Sequence, residues 1–442
     1  MKTKFKKTLY SLSFFLLSIC LFTVPTFASG LNWNGHFQTE TRVNLDNSAL
    51  TWQETNLTLQ PEVVTNNTRF YGELCYRRSG LLSQNNSLLA STNSNPIELN
   101  EIYLDLYAYP WRRMDLRIGK QLIPWGTGYL LNPTSNLNPE DLRDVFDFGR
   151  YLGSNALKAT TYLGEVTITG VFIPVFTPAA LPNQQFQALF APEMPPLPFT
   201  VNEQKIESIL PAENLQESAA WGVKLDKHLL GCDFSVSYVD GRYSLPVPKI
   251  TLTPVGEKVD LLCELIHPRR KIIGFDLAGA YGGLGFWSEL AYFFPEEVKV
   301  TSDLTAIIGQ HMEIVTLKDT PYAKYLIGMD YSADHLYFNG QYLHGFPQEQ
   351  GKDKLGDYFL GRLEFTLNDG KIKIPFNACL EIRDFDKFQE SFAILFSPEI
   401  CFYPEMNTEI TLSLRLIDGK SGTNLGKMKD WDEIGLKIKY SF

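Results

Sequence analysis

From residue 31 to the last residue, nearly every segment of this sequence alternates apolar with polar side chains at a period of two. In the segment 411–416, for example, Leu412 and Leu414 alternate with Thr411 and Ser413. Successive side chains of a strand point to opposite faces, so each such segment predicts a β-strand with one apolar and one polar face. A soluble β-sandwich alternates in the same way, and alternation alone does not separate it from a membrane barrel.

Segment length and the placement of aromatic residues favour the membrane barrel. The segments run about 9 to 15 residues, longer than the usual strand of about 5 to 6 and suited to crossing a bilayer at a tilt. Aromatic residues crowd the segment ends, as they do in the girdles that flank a membrane barrel. They are Trp33, Trp52, Tyr109, Trp111, Tyr292, Phe293, Phe294, Phe402, Tyr403 and Trp431.

We count eighteen such segments, with sixteen as the alternative because the count could differ by two. They cover residues 31–43, 51–63, 67–78, 97–108, 113–122, 155–163, 165–176, 218–228, 231–241, 271–281, 283–293, 322–332, 334–345, 355–367, 371–384, 388–402, 406–417 and 431–442. Short connections follow the even-numbered segments, and mostly longer ones follow the odd-numbered segments. We therefore predict an all-β fold: a transmembrane antiparallel up-and-down β-barrel with short periplasmic turns and long extracellular loops. Eighteen strands would leave an aqueous lumen.

The N-terminus has the layout of a secretory signal. Lys2, Lys4, Lys6 and Lys7 precede an uncharged apolar stretch, and Thr26-Phe27-Ala28 forms a plausible cleavage site. We expect residues 1–28 to be a signal peptide that is removed near Ala28, and residues 29–442 to form a single barrel domain. The net charge of −10 becomes −14 without those four lysines, which disfavours nucleic acid as a partner.

The last residues, Gly435 to Phe442, continue the alternation and end on an aromatic residue. This strand resembles the closing strand of bacterial outer-membrane β-barrels, which commonly ends in Phe. The resemblance implies the outer membrane of a diderm bacterium, contact with outer-membrane lipid, and recognition by the barrel-assembly machinery through the strand ending in Phe442. To close the wall, residues 431–442 must pair antiparallel with residues 31–43.

A second resemblance lies within residues 115–155. Gly119-Lys120-Gln121, then Trp125-Gly126, then Asn138-Pro139-Glu140-Asp141 resemble a segment of a poorly characterised group of porin-like outer-membrane proteins. In general porins the third long loop folds into the lumen, so we expect a loop at about 123–154 to fold inward. Asn138 as a cap and Pro139 at the first position predict a short helix over 139–147. An external loop helix is the alternative.

Charged residues on the polar faces of segments 67–122, together with those of the loop, are the candidates for the pore lining and constriction. Mixed charges on a lumen wall create a transverse field that filters small solutes. Alternatively, they only keep the interior wet and pair across strands. The candidates are Arg69, Glu73, Arg77, Glu101, Asp105, Arg113, Asp115, Arg117, Asp141, Arg143, Asp144, Asp147 and Arg150.

Catalytic and cofactor chemistry find little support in the sequence. None of the six histidines lies in a recognisable catalytic motif, and the sequence contains no GxSxG, P-loop or dinucleotide fingerprint. The five cysteines of the mature chain show no CxxC spacing, so neither a disulfide framework nor a zinc site is expected. We therefore expect neither an enzyme nor a cofactor or metal.

The function expected from the sequence is a porin-like channel for the passive diffusion of small hydrophilic solutes. Two alternatives stay open: a channel specific for one substrate, for example an oligosaccharide, and a surface-binding or structural barrel such as an adhesin. Porins of this size are often trimers, which suggests a homo-trimer by analogy. The sequence leaves the solute and the ion selectivity open.

Overall fold

The computed structural model describes residues 30–79, 96–182 and 199–442. The predicted signal peptide, residues 1–28, lies outside the described residues. The strands are β1 Leu31–Asn44, β2 Leu50–Val64, β3 Thr68–Ser79, β4 Ile97–Leu106, β5 Met114–Gln121, β6 Ser154–Leu163, β7 Val166–Ile173, β8 Val201–Ser208, β9 Ala220–Leu229, β10 Cys232–Arg242, β11 Val247–Val255, β12 Lys258–Ile266, β13 Arg269–Tyr281, β14 Leu284–Pro295, β15 Val298–Asp303, β16 His311–Leu317, β17 Tyr322–Ala333, β18 Leu336–His344, β19 Asp357–Leu367, β20 Ile372–Ile382, β21 Phe392–Phe402, β22 Thr408–Gly419 and β23 Glu433–Ser441.

Eighteen of these strands form one closed antiparallel barrel, and each predicted segment corresponds to one of them. Every barrel strand pairs with its neighbour in chain order, and β1 pairs with β23 to close the wall. The closing register runs from His36 opposite Ser441 to Asn44 opposite Glu433. The predicted eighteen-strand barrel and its closing contact are confirmed, and the alternative of sixteen strands is wrong.

The two faces of the wall differ as the alternation requires. On β1, Phe37 is 42% exposed on the outward face, whereas Arg42 on the inward face is 7% exposed. Outward side chains elsewhere are similarly apolar and exposed, for example Ile327 and Leu436. Closure satisfies the backbone hydrogen-bonding groups that lipid would leave unpaired.

The barrel has a turn end and a loop end. At the turn end, two-residue connections such as 230–231 and 282–283 join neighbouring strands, and both termini of the barrel lie there. The loop end carries the long connections, including 122–153, 174–219, 243–268 and 296–321. Helices in the described residues are short: Leu215–Ser218, Thr305–Ile308 and Phe388–Ser391, with 3-10 turns at Lys352–Lys354 and Gly426–Met428. Among the described helices, none has the length and apolar character needed to cross a membrane.

Five strands at the loop end lie outside the barrel wall, and the alternation did not predict them. We call β8, β11, β12, β15 and β16 the loop-end module. In it β11 pairs with β12 antiparallel, β12 pairs with β8 in parallel, and β15 pairs with β16. A shared apolar core holds these strands together, with Ile250, Val259, Leu261, Cys263, Leu304 and Ile314 among its buried members.

Candidate functional site

Residues 122–153, which we call the crossing segment, connect β5 to β6 at the loop end. Asn138 holds the two ends of this segment together. Its side-chain oxygen accepts the backbone N–H of Ile123 at 2.6 Å, and its side-chain nitrogen donates to the carbonyl oxygens of Leu152 at 3.0 Å and Gln121 at 3.1 Å. The side-chain amide of Asn138 therefore uses both its acceptor and its donor atoms to hold the start of the crossing segment next to its end.

The helix predicted over 139–147 is wrong. Turns occupy this stretch, with isolated bridges between Glu140 and Tyr151 and between Asp141 and Ala180. A capping residue must offer its side-chain oxygen to the N–H groups that follow it. In Asn138 that oxygen is already bonded to Ile123, which precedes it in the chain.

Glu289 anchors the crossing segment to the opposite wall. This residue of β14 is fully buried and accepts four hydrogen bonds. The backbone N–H groups of Thr127 and Gly128 donate to Oε1, each at 2.6 Å, and Thr134 donates from its backbone N–H at 3.1 Å and from its hydroxyl at 2.8 Å to Oε2. Such charge-assisted bonds are stronger than neutral ones, so Glu289 fixes the far side of the crossing segment.

A reciprocal amide contact adds a second anchor. The side-chain oxygen of Gln341 on β18 accepts the backbone N–H of Tyr129 at 3.1 Å, and its nitrogen donates to the carbonyl of Tyr129 at 2.9 Å. β5 and β6, from which the crossing segment departs, lie far around the wall from β14 and β18. The segment thus makes contacts from one side of the barrel to the other.

An ion pair ties the middle of the crossing segment to the closing strands. Arg42 on β1 donates to both oxygens of Asp144, at 3.0 and 2.6 Å. Both side chains are buried. Burial alone would raise the pKa of Asp144, but the charge and hydrogen bonds of Arg42 lower the pKa below its usual range.

Asp141 lies at the centre of a second ionic cluster. Arg143 donates to it from two nitrogens, at 2.8 and 2.7 Å, and Arg150 donates at 2.9 Å. Arg143 also reaches Glu98 on β4 at 2.5 Å, and Arg150 reaches Asp147 at 3.2 Å. Burial opposes ionisation of Asp141, but the hydrogen bond from Arg143 and the charges of the two arginines lower its pKa to about 2.

Three of the candidates on the strands come together at the wall. Arg117 on β5 binds both oxygens of Asp105 on β4, at 2.6 and 3.0 Å, and Arg69 on β3 lies 3.8 Å from the same carboxylate. The guanidinium carbon of Arg117 also lies 3.9 Å from the centroid of the Tyr103 ring. These three charged residues therefore form a paired patch on the inward face.

The other strand candidates are dispersed. Glu73 accepts hydrogen bonds from Gln60, Tyr71 and Asn100; Glu101 accepts the backbone N–H of Leu122; and Arg77 lies 3.8 Å from Glu54. Arg113 and Asp115 lie at the turn end, where Asp115 accepts the hydroxyl of Tyr162 and the N–H of Ala108. The structure does not bring Arg113 or Asp115 to the crossing segment.

A cavity of about 290 Å³, which we call the wall pocket, lies between the crossing segment and strands β18 to β22. Aromatic side chains of the segment line one side, and amide, hydroxyl and charged side chains of the wall line the other. The lining includes Tyr129, Phe146, Phe148, Asn339, Gln341, Arg362, Asn377, Ser397, Glu399 and Arg415. The sequence pattern did not single out these wall residues, although the alternation already placed Arg415 on a polar face.

Comparison with known proteins identifies the fold. Neither a protein-family model nor a curated protein sequence matches this chain. Solved structures do match: Acinetobacter baumannii OccAB4 with TM-score 0.53, 8% identity and coverage of 95% of this chain and 99% of that chain, and OccAB1 of the same organism with 0.51, 7%, 93% and 96%. A BenF-like porin from Pseudomonas fluorescens Pf-5 matches with TM-score 0.50, 8% identity and coverage of 93% and 98%. The chain therefore has a porin-type barrel fold over nearly its whole length.

Proposed function

We propose that this protein is an outer-membrane channel for the passive diffusion of small hydrophilic solutes. The observation that carries the proposal is the crossing segment, whose polar and charged contacts reach inward-facing residues on several sides of the closed barrel, including Arg42, Glu98, Glu289 and Gln341. A segment held in this way would narrow the lumen, and the wall pocket of about 290 Å³ beside it offers room for a small solute.

Transport in this proposal needs no chemical step. Solutes enter at the loop end, pass the crossing segment beside the wall pocket and the Arg69–Asp105–Arg117 patch, and leave at the turn end. Charges of both signs facing each other across a narrow path orient dipolar solutes and exclude apolar ones. Asp141, Arg143, Asp144, Asp147 and Arg150 would act mainly by holding the segment in place, since most of their charges are paired within it or with the wall.

The proposed location is the outer membrane of a diderm bacterium, with residues 1–28 removed at secretion. The apolar outward face supports contact with lipid, and the strand ending at Phe442 supports recognition by the barrel-assembly machinery. A homo-trimer stays a prediction from analogy.

Single-channel recording in a planar bilayer tests the proposal. Purified, folded protein is expected to give stepwise conductance, and liposomes containing it are expected to swell in small sugars and amino acids but not in large polymers. Folded protein that inserts into the bilayer and gives no conductance would overturn the channel function.

A second candidate function, a surface-binding barrel, is favoured by one observation. The loop-end module has an apolar core of its own, which passive diffusion does not require. Low solute flux combined with saturable binding of a surface ligand, lost when the module is replaced by short turns, would favour this second function over the first.

A further inference from the structure

Two arginines are buried in the described part of the chain, Arg42 and Arg270, each 7% exposed. Arg42 is paired with Asp144. The side chain of Arg270 on β13 has neither a hydrogen bond nor an ion pair among the described residues, and its guanidinium group lies over two aromatic rings. Its guanidinium carbon lies 4.6 Å from the ring centroid of Tyr243 and 5.6 Å from that of Phe293. A buried charge without an anionic partner is strongly unfavourable, and ring contacts offset only part of that cost.

A second buried cation lies beside the same ring. Lys324 on β17 is 4% exposed, and its Nζ lies 5.5 Å from the ring centroid of Phe293. That nitrogen donates to the carbonyl oxygens of Phe346 at 2.8 Å and Pro347 at 3.1 Å. Because an ammonium group has three donors, one N–H of Lys324 is left for another acceptor.

Arg270 and Lys324 line one cavity of about 20 Å³ between the crossing segment and the wall. Ser135, Glu140 and Tyr151 of the crossing segment line its other side. Glu140 accepts the hydroxyl of Ser244, and within the described residues it forms no ion pair with either cation. Two basic side chains and one carboxylate therefore line this cavity.

We propose that this cavity binds one small monovalent anion of the halide class, such as chloride. The volume of about 20 Å³ is on the scale of one water molecule or one monatomic ion, which favours a halide over sulfate, phosphate or an organic solute. The unused donors of Arg270 and the remaining N–H of Lys324 supply the hydrogen bonds, and the two basic side chains favour an anion. The bound ion would be a structural part of the protein and not a transported solute. The site is therefore independent of which solute, if any, crosses the barrel.

The first test uses the unaltered protein. Crystals of the full chain grown in sodium bromide are expected to show an anomalous bromide peak in the cavity between Arg270 and Lys324. A well-measured data set with bromide at surface positions only, and none in this cavity, would overturn the proposal.

The second test compares two variants in solution. The thermal midpoint of the detergent-folded protein is followed as sodium bromide replaces sodium gluconate at constant ionic strength. The unaltered protein and Arg269→Met are expected to show a saturable rise, because Arg269 points elsewhere and pairs with Asp240 at 2.8 Å. Arg270→Met is expected to show none. An equal rise in Arg270→Met would contradict the site; if that variant does not fold, Lys324→Met takes its place, with a weakened rise expected and an unchanged one counting against the site.

Discussion

Gly35 and Phe442 exchange two backbone hydrogen bonds, one in each direction and each 3.0 Å long. They extend the pairing of β1 with β23 to the last residue of the sequence. The Phe442 ring lies directly over Gly35: a Cβ added to Gly35 would lie 2.8 Å from Cζ of Phe442 and 2.3 Å from the carbonyl oxygen of Thr58. Any side chain at position 35 would therefore clash with the backbone of β2 and displace the Phe442 ring.

We expect Gly35→Val to weaken the pairing of β1 with its two neighbours, β2 and β23. Forcing extra atoms into a packed site costs about 1–3 kcal/mol, so the free energy of unfolding in urea, measured in lipid vesicles, should fall by about 2 kcal/mol. The control is Gly170→Val on β7, where a Cβ would meet no atom within 4 Å. Equal losses of unfolding free energy in the two variants would contradict the close packing around Gly35.

Replacing Glu289 should release the far side of the crossing segment. In Glu289→Gln one carboxylate oxygen becomes an NH₂ group, which cannot accept the N–H groups now facing it, and each buried unsatisfied donor costs about 1–3 kcal/mol. We expect a stability loss of about 2 kcal/mol and larger fluctuations of the open-channel current. The control is Glu313→Gln at an exposed pair with Lys299, which should change neither quantity measurably.

The Asp141 cluster should hold over a wide pH range. The pKa of Asp141 is about 2 in the fold and about 4 in an unfolded chain. A lowered pKa stabilises the fold fully above the unfolded value and loses this contribution as the pH falls through the folded value. Current noise should therefore stay constant from about pH 8 to about pH 4, whereas Asp141→Asn should be noisier throughout. An increase in noise between neutral pH and about pH 5, seen in the unaltered protein but not in Asp141→Asn, would contradict this assignment.

Glu399 should influence the ion preference of the proposed channel. It lines the wall pocket on β21, and the one hydrogen bond of its carboxylate among the described residues comes from the thiol of Cys401 at 3.9 Å. Removing this charge in Glu399→Gln should shift the reversal potential in a KCl gradient toward anion preference, because a carboxylate near a pore attracts cations. Glu313→Gln again serves as the control, and an equal shift in that variant would show that the pocket is not on the ion path.

The barrel could be predicted from the sequence because the signals for its strands and turns each lie within a short stretch of chain. A period of two marks every strand in the wall, and turn residues such as Gly164 and Gly370, both with positive φ, mark the ends. The eighteen strands and their closure followed from these signals. The short strands β8 and β15 could not be found in this way, because the alternation within each is too short and because the partner of β8 comes from another connection.

The site was only partly predictable, for a related reason. The charged residues of 141–150 were identified by type, but their partners lie far away in the sequence: 102 residues separate Asp144 from Arg42, and 162 separate Thr127 from Glu289. Asn138 shows how far a prediction from residue type can go. Its residue type indicated a side chain that bonds to backbone, and only the three-dimensional structure shows that it bonds backward to Ile123 instead of starting a helix.

The parallel pairing of β8 with β12 constrains the order of assembly. These strands belong to different long connections, with β9 and β10 of the wall between them in the chain. In a bilayer their pairing has to wait until both connections have been delivered to the same side. The pairing of β8 with β12 therefore forms late, and protection of the β8 backbone amides from hydrogen exchange would report that the hairpin between the two connections had crossed the bilayer.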